Sequence, residues 1–134
     1  MSRVQLALNV DDVDEAVAFY TTLFGTEPAK RRPGYANFAI ADPPLKLVLF
    51  EAPGRGGTLN HLGVEVATPA EVAAATERLS GAGLDTDVRE GTTCCHAVQD
   101  KVWVGEERNG RWEVYTVLAD APLEPAGAAA ACCA

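Results

Sequence analysis

The sequence predicts an α+β domain made of two repeated modules, and three observations carry that prediction. The order strand, helix, then two or three strands is read once before residue 55 and again after residue 58. A shift of 56 residues superposes Gln5 on His61, Leu6 on Leu62, Leu8 on Val64, Val10 on Val66, Leu23 on Leu79 and Gly25 on Gly81. The chain has 134 residues, 48% hydrophobic and 22% charged, which suits one soluble core. Neither half alone would cover both faces of its sheet, so the halves are expected to pair, with both first strands near the centre and a cavity between curved sheets.

Val4 to Val10 reads as a strand because Leu6, Leu8 and Val10 alternate with Gln5, Ala7 and Asn9. A helix from about Val13 to Phe24 follows. Asp12 caps it with Glu15 three positions on, and Val13, Ala16, Val17, Tyr20, Leu23 and Phe24 form its apolar stripe before Gly25 stops it. Tyr35 to Ile40 and Leu45 to Glu51 read as strands divided by Pro43-Pro44, and Pro53, Gly54, Gly56 and Gly57 mark a loop. The order then restarts with an extended segment from His61 to Val66. Thr68-Pro69-Ala70-Glu71 supplies a capping box with Pro at the first helical position, and Val72 to Ser80 completes a helix ending near Gly81. Strands are expected at Leu84 to Arg89, Val98 to Val104 and Arg111 to Val117, with a polar loop from Gly91 to Cys95. The modules thus span about residues 1–55 and 58–120 of a single domain, 1–120. Residues 121–134, Ala-rich and without periodic pattern, are expected to form a flexible tail.

Charge narrows the function classes. Eleven Lys plus Arg stand against 19 Asp plus Glu, a formal charge of -8, so a nucleic-acid backbone is not an expected partner. The opening MSRVQLALNV soon reaches Asp11 and Asp12, whereas a secretory core needs about 7 to 15 apolar residues and a membrane span roughly 20. No membrane partner is expected, and a cytoplasmic location, where reducing conditions keep thiols available, is. The glycines at positions 54, 56 and 57 lack the strand-to-helix setting and the Lys-Ser/Thr ending of a phosphate loop.

Strand parity assembles a candidate metal site. Gln5, Ala7 and Asn9 share one face of the first strand, and His61, Gly63 and Glu65 share the equivalent face of its repeat. Ala7 and Gly63 leave room beside Gln5 and His61. In the last strand Glu113 faces opposite to Trp112 and Val114, which makes it a third inward group, and Tyr115 shares its face as a pocket candidate. An amide oxygen, an imidazole and a carboxylate with open positions suit Fe(II), Mn(II), Ni(II) or Zn(II) without choosing among them. The bland reading is a strand-end histidine, a surface amide and a solvated carboxylate.

The four cysteines form two adjacent pairs, Cys94-Cys95 and Cys132-Cys133, rather than the spread spacing of a disulfide framework. In a loop both sulfurs of Cys94-Cys95 can turn toward one soft atom such as trivalent arsenic. Incidental small residues and a redox disulfide are the other readings. His96 beside the pair is a proton-transfer or binding candidate, or a loop contact.

Across MSRVQLALNV, RPGYANFAIADPPLKLVLFE, LNHLGVEV, TTCC, QDKVWV and RWEVYTVLAD, residues 1 to about 120, the chain closely resembles the carbon-arsenic bond lyases and cadmium-induced proteins of the vicinal oxygen chelate superfamily. The resemblance implies two βαβββ modules around a divalent metal. It implies Gln5, His61 and Glu113 as Fe(II) ligands, Cys94 and Cys95 as the arsenic-binding pair, and all five as the catalytic set. It implies a dioxygen-dependent cleavage of the carbon-arsenic bond in a trivalent organoarsenical such as methylarsonous acid, releasing arsenite, with dioxygen as cosubstrate. His96 departs from the aromatic residue often found after the pair, which bears on pocket polarity or substrate preference. The tail is shorter than in some relatives and leaves Cys132 and Cys133 without an assigned role.

Two other functions compete. A thiol-based arsenic or cadmium sequestration protein would capture its ligand without turnover, with little dependence on Gln5, His61 or Glu113. A glyoxalase-like enzyme acting on a small metabolite would use the metal triad but give Cys94-Cys95 no task. Two modules in one chain permit a complete cavity in a monomer, and exchange of modules between chains would build it in a homodimer.

Overall fold

The structure, a computed structural model, describes residues 2–106 and 110–121. The expected tail from residue 122 onward, with Cys132 and Cys133, lies outside the described residues. The first module contains β1 (Arg3–Val10), α1 (Val13–Phe24), β2 (Lys30–Arg32), β3 (Tyr35–Ile40) and β4 (Leu45–Glu51). The second contains β5 (Leu59–Glu65), α2 (Pro69–Gly81), β6 (Thr86–Cys94), β7 (Ala97–Val104) and β8 (Trp112–Asp120). All the described strands join in one sheet of order β2-β3-β4-β1-β5-β8-β7-β6. This is an α+β domain of paired βαβββ modules with the two first strands at its centre.

The repeat is visible in the register. β1 runs antiparallel to β5 with Leu6 opposite Leu62, its own equivalent under the shift of 56. A pseudo-twofold axis therefore passes between those two residues, and Gln5 opposite Gly63 is matched by Ala7 opposite His61. Each module adds its last strand parallel to its first, β4 on β1 and β8 on β5.

Helix α1 starts where Asp12 accepts the N–H groups of Asp14 and Glu15, and ends at Gly25 with φ 63. Its inner face covers β3 and β4 through Val13, Val17, Ala36, Phe38, Ile40, Leu47 and Leu49, with Leu6, Leu8 and Val10 at the margin. Phe38 and Leu49 have no exposed surface, and burial of such a side chain contributes about 1.5–3 kcal/mol. Leu23, expected in the apolar stripe, is 58% exposed. Helix α2 begins at a reciprocal capping box between Thr68 and Glu71 and lies on β6, β7 and β8, burying only Val72 and Ala75.

The opposite, concave face of the sheet carries the odd residues of β1 and β5. Its closure depends on β2, a three-residue strand Lys-Arg-Arg that alternation could not announce. Lys30 pairs with Asp120 at the end of β8 and donates to the His96 carbonyl at 3.0 Å, and Arg32 reaches Asp120 at 3.3 Å. The far edge of the first module is thereby tied to the far end of the second. Ala121 is buried, and its N–H donates to the same carbonyl at 3.1 Å.

One expected loop is a strand. β6 continues through Thr92, Thr93 and Cys94, paired with Gln99, Val98 and Ala97, after a register shift following Arg89. Gly91, at φ 57, sits in that irregularity. The polar run TDVREGTT hid a single strand interrupted by a bulge.

Candidate metal centre and thiol pair

Gln5, His61 and Glu113 come from β1, β5 and β8, three neighbouring strands, and converge on the concave face as strand parity required. Gln5 Nε2 is 3.0 Å from both His61 Nε2 and Glu113 Oε1, and the last two atoms are 3.4 Å apart. All three residues are at most 5% exposed. Gly63 lies between Gln5 and Glu113 in register. A Cβ there would stand 2.9 Å from Glu113 Cγ and 3.3 Å from Gln5 Nε2, so the convergence requires glycine at this position.

A chain of hydrogen bonds sets the tautomer of His61. The Arg55 carbonyl can only accept, so the Thr58 hydroxyl donates to it at 2.7 Å and accepts from Asn9 Nδ2 at 3.0 Å. Asn9 Oδ1 then accepts from Asn60 Nδ2 at 3.1 Å, which turns Asn60 Oδ1 toward His61 Nδ1 at 2.8 Å. With Asn60 Oδ1 accepting, the ring proton lies on Nδ1 and the Nε2 lone pair faces the Gln5 amide. The loop where this chain begins is itself held by Asp11, whose Oδ1 accepts from Gly54 and Gly56 N–H at 2.7 and 3.0 Å. A Cβ at Gly56 would stand 2.5 Å from the Asp11 carboxylate, so a side chain there would displace this contact.

Glu113 is ionised although buried. Burial pushes its carboxyl up, but the Lys101 ammonium, 2.8 Å from Oε2, holds it below its usual value. Lys101 is 1% exposed and lies over the Trp103 ring at 5.4 Å. Tyr115 has no exposed surface, and its hydroxyl donates to Gln5 Oε1 at 2.5 Å with Glu65 Oε2 at 3.0 Å. Burial and the charges of Glu65 and Glu113 push its ionisation well above the usual phenol range, so it is a neutral hydroxyl. Burial raises the Glu65 carboxyl, but Lys46 and Arg3, at 3.2 and 3.1 Å, bring it below its usual value.

The cysteine pair sits at a hairpin rather than in a loop. Cys94 ends β6 opposite Ala97, so Cys95 and His96 form the two-residue turn, at φ 54 and 61. Such turns favour Asn-Gly, and each left-handed non-glycine residue costs roughly 1–2 kcal/mol. Strain of this kind is held where the surrounding structure fixes it. Here Cys94 is buried against Ala7, Tyr35, Val48 and Phe50, Cys95 packs on the same cluster, and the His96 ring lies 4.7 Å from that of Tyr35. The two sulfurs are 3.5 Å apart, beyond the ~2.05 Å of a bond between them, although neither is a free thiol in the structure. Phe50 links this cluster to the triad, its ring centroid 6.5 Å from that of His61, and Trp103 flanks His61 at 5.3 Å. The cluster that buries the cysteines thus borders the triad through Phe50.

Sequence reasoning missed Lys101, Asn60, Thr58 and the part played by Glu65. Lys101 carried a signal, since it lies two residues from Trp103 on one face of β7 and registers with Tyr115. The Asn9–Asn60–His61 chain carried none, because it joins side chains across a bulge between Ala7 and Leu8.

The donor set fits a divalent ion with nitrogen and oxygen preferences. It offers an imidazole lone pair, an ionised carboxylate and an amide standing between them. Among the described residues no three His, Cys, Asp or Glu side chains gather in such a way, so the set depends on the amide. No fourth side chain completes it from the first module, where Val48 occupies the position equivalent to Glu113: Val48 pairs with Ala7 as Glu113 pairs with Gly63.

Paired βαβββ modules enclosing a polar triad on the concave face of one curved sheet define a class of protein. The chain belongs to the glyoxalase/bleomycin resistance protein/dioxygenase superfamily, which it matches over residues 3–120. It is 69% identical over 120 residues to the cadmium-induced protein CadI of Mycobacterium tuberculosis, covering 90% of this chain and 79% of that one. It is 56% identical over 134 residues to a trivalent organoarsenical cleaving enzyme of Thermomonospora curvata, covering 99% and 89%. Among solved structures, a Mn(II)-bound glyoxalase from Novosphingobium aromaticivorans shares the fold at a TM-score of 0.60 and 16% identity, over 93% of this chain and 43% of that one. Methylmalonyl-CoA epimerase from M. tuberculosis shares it at 0.62 and 18%, over 88% and 87%.

Proposed function

We infer that the protein uses dioxygen to cleave the carbon-arsenic bond of a small trivalent organoarsenical such as methylarsonous acid, so that one oxygen atom ends on the released arsenite and the other on the methyl carbon, which leaves as formaldehyde. One observation carries this reading: a vicinal cysteine pair, held in a strained turn, packs on an apolar cluster that borders a triad of metal-ligating type. The 56% identity to an enzyme named for this reaction supports it.

In this reading Cys94 and Cys95, reduced to thiolates, hold the arsenic, and Gln5, His61 and Glu113 hold Fe(II). The iron supplies activation of dioxygen, the cosubstrate. The protein's own groups position and shield. The Asn60 contact keeps the His61 lone pair inward, Lys101 keeps Glu113 ionised, and Val48 leaves the remaining positions open. Tyr35, Phe50 and Trp103, at most 2% exposed, exclude water around the held substrate. His96 at the turn shapes the pocket beside the cysteines, and Tyr115 serves the site through Gln5. The single domain over residues 1–120 contains all these groups, so one chain supplies the full set in either a monomer or a homodimer. Reduced thiols suit a cytoplasmic setting. No helix among the described residues is long and apolar enough to cross a membrane.

A second reading rests on the higher identity, 69%, to a cadmium-induced protein. It assigns the thiols to stoichiometric capture of arsenic or cadmium without turnover. Iron-loaded protein incubated under air with methylarsonous acid separates the two. Catalytic arsenite release that is lost in C94S, C95S, H61A and E113Q supports the lyase. Capture of one equivalent with no arsenite release in repeated cycles rules it out in favour of sequestration. A glyoxalase-like reaction leaves the cysteine pair without a task, and unchanged turnover in C94S and C95S would favour it.

A further inference from the structure

The Gln5 amide faces the candidate metal position with the wrong atom. Its NH2 points inward, donating to His61 Nε2 and Glu113 Oε1 at 3.0 Å each, while its oxygen points back to accept from Tyr115 at 2.5 Å. The surroundings dictate this orientation. The His61 lone pair and the Glu113 carboxylate are both acceptors, so only an NH2 satisfies the two together. A neutral amide nitrogen has its lone pair delocalised into the carbonyl, however, and a hard or borderline divalent ion binds the oxygen instead.

We propose that Gln5 is a two-state ligand whose amide turns over when metal enters, and that Tyr115, backed by Glu65, is the positioning residue that holds it oxygen-inward. The proposal rests on the metal-site reading above and goes beyond it. After the turn, Gln5 Nε2 faces the Tyr115 hydroxyl, which must then accept rather than donate. A hydroxyl has one proton and two lone pairs, so it can accept provided its own proton has another destination. That destination is Glu65 Oε2, 3.0 Å away, kept as a carboxylate by Arg3 and Lys46. In the structure one hydroxyl proton serves two acceptors, Gln5 and Glu65. In the turned state every member of the chain has a partner: Gln5 Nε2 donates to Tyr115, and Tyr115 donates to Glu65. The NH2 meanwhile acts in the metal-free protein as an internal substitute for the ion, bridging the other two ligands so that neither is left unpaired in the buried site.

The test uses metal-stripped full-length protein titrated with Co(II) alone against a competing chelator. Y115F is expected to weaken Co(II) binding by about 10-fold or more, the usual range for loss of a ligand's supporting hydrogen bond. Q5A weakens it as well, and Q5A/Y115F is expected to bind no more weakly than Q5A, because Tyr115 acts through the amide. E65Q is expected to weaken binding by a smaller factor, since a neutral oxygen still takes the hydroxyl proton. In Zn(II)-loaded wild type, the Gln5 side-chain amide resonances, identified by their loss in Q5A, are expected to shift away from their metal-free positions.

Wild-type affinity in Y115F overturns the proposal, as does an equal loss from Y115F in the Q5A background, which would mark a general structural effect. Unshifted Gln5 amide resonances on Zn(II) loading also overturn it. Should Y115F fail to fold, E65Q and Q5A/E65Q carry the same comparison, and wild-type affinity in E65Q is then decisive against it. Failure of wild-type protein to bind Co(II) removes the metal-site reading and this inference together. Metal binding that ignores Tyr115 and Glu65 removes this inference alone.

Discussion

The two modules present the same frame to the cavity and furnish it with different chemistry. Under the shift of 56 residues Ala7 matches Gly63, and their parallel neighbours Val48 and Glu113 occupy equivalent places. One strand further out, Tyr35 opposite Phe50 is matched by Lys101 opposite Tyr115. The first module therefore contributes Gln5 and an apolar wall against which the cysteines pack, and the second contributes His61, Glu113 and the lysine that charges the site. The repeated frame is symmetric, and different residues at a few inward positions make the second module's side charged and the first module's side mostly apolar. The glycine belongs on the charged side, because Glu113 needs the space that a Cβ at position 63 would take.

The comparison can be broken most severely at Lys101. K101M leaves Glu113 buried without its cation and is expected to cost about 3–5 kcal/mol in denaturant unfolding of the metal-free protein. Adding E113Q should restore part of that loss. The same carboxylate governs acid stability. Its folded value lies below its usual 4.5, so its contribution is complete above about pH 4.5 and is lost as pH falls through the folded value. Unfolding curves of E113Q should be flatter across that window than those of wild type.

V48E would restore symmetry by adding a second carboxylate. Metal-free V48E is expected to lose on the order of 3 kcal/mol for a carboxylate placed in the Ala7–Tyr35–Phe50 cluster. Co(II) should recover much of this loss in thermal unfolding, while arsenite release should stop because an open position is closed. Stability unaffected by Co(II) would mean that positions 48 and 113 do not face a common ion.

Smaller effects sharpen the contrast. G63A forces a methyl within 2.9 Å of Glu113 Cγ and should cost about 1–3 kcal/mol, with weaker metal binding. A7G, at the matching position, should cost only about 0.5–1 kcal/mol through strand propensity. T68A removes the reciprocal cap of α2 and should cost about 1 kcal/mol, leaving metal affinity unchanged because α2 lies on the outer face of the sheet. Chemical denaturation and Co(II) titration of each variant measure both quantities.

Much of the fold was legible locally. The Asp12 and Thr68 caps, the glycine stop at residue 25 and the alternation in β1 and β5 each depend on residues within a few positions of one another. Parity also placed Gln5, His61 and Glu113 on inward faces, because side chains in a strand alternate whatever the tertiary context. The Cys94-Cys95 segment was misread as a loop because its hairpin lacks the Asn-Gly expected of so tight a turn. β2 was missed because three cationic residues bear no apolar signal. Their role emerges only where Lys30 and Arg32 meet Asp120, ninety and eighty-eight positions away.

The sequence by itself determined the repeat, the two helices, the inward residues of the central strands and the resemblance that names the chemistry. Local periodicity and capping are properties of neighbouring residues and survive without knowledge of the fold. Only the tertiary structure decided which donor faces which acceptor. The tautomer of His61, fixed by Asn60 only because Asn9 of β1 turns that amide, the ionisation of Glu113 and the direction of the Gln5 amide all depend on groups from other strands. Hydrogen-bond direction in a buried site is a property of the whole chain of partners and not of any one residue's neighbours in sequence.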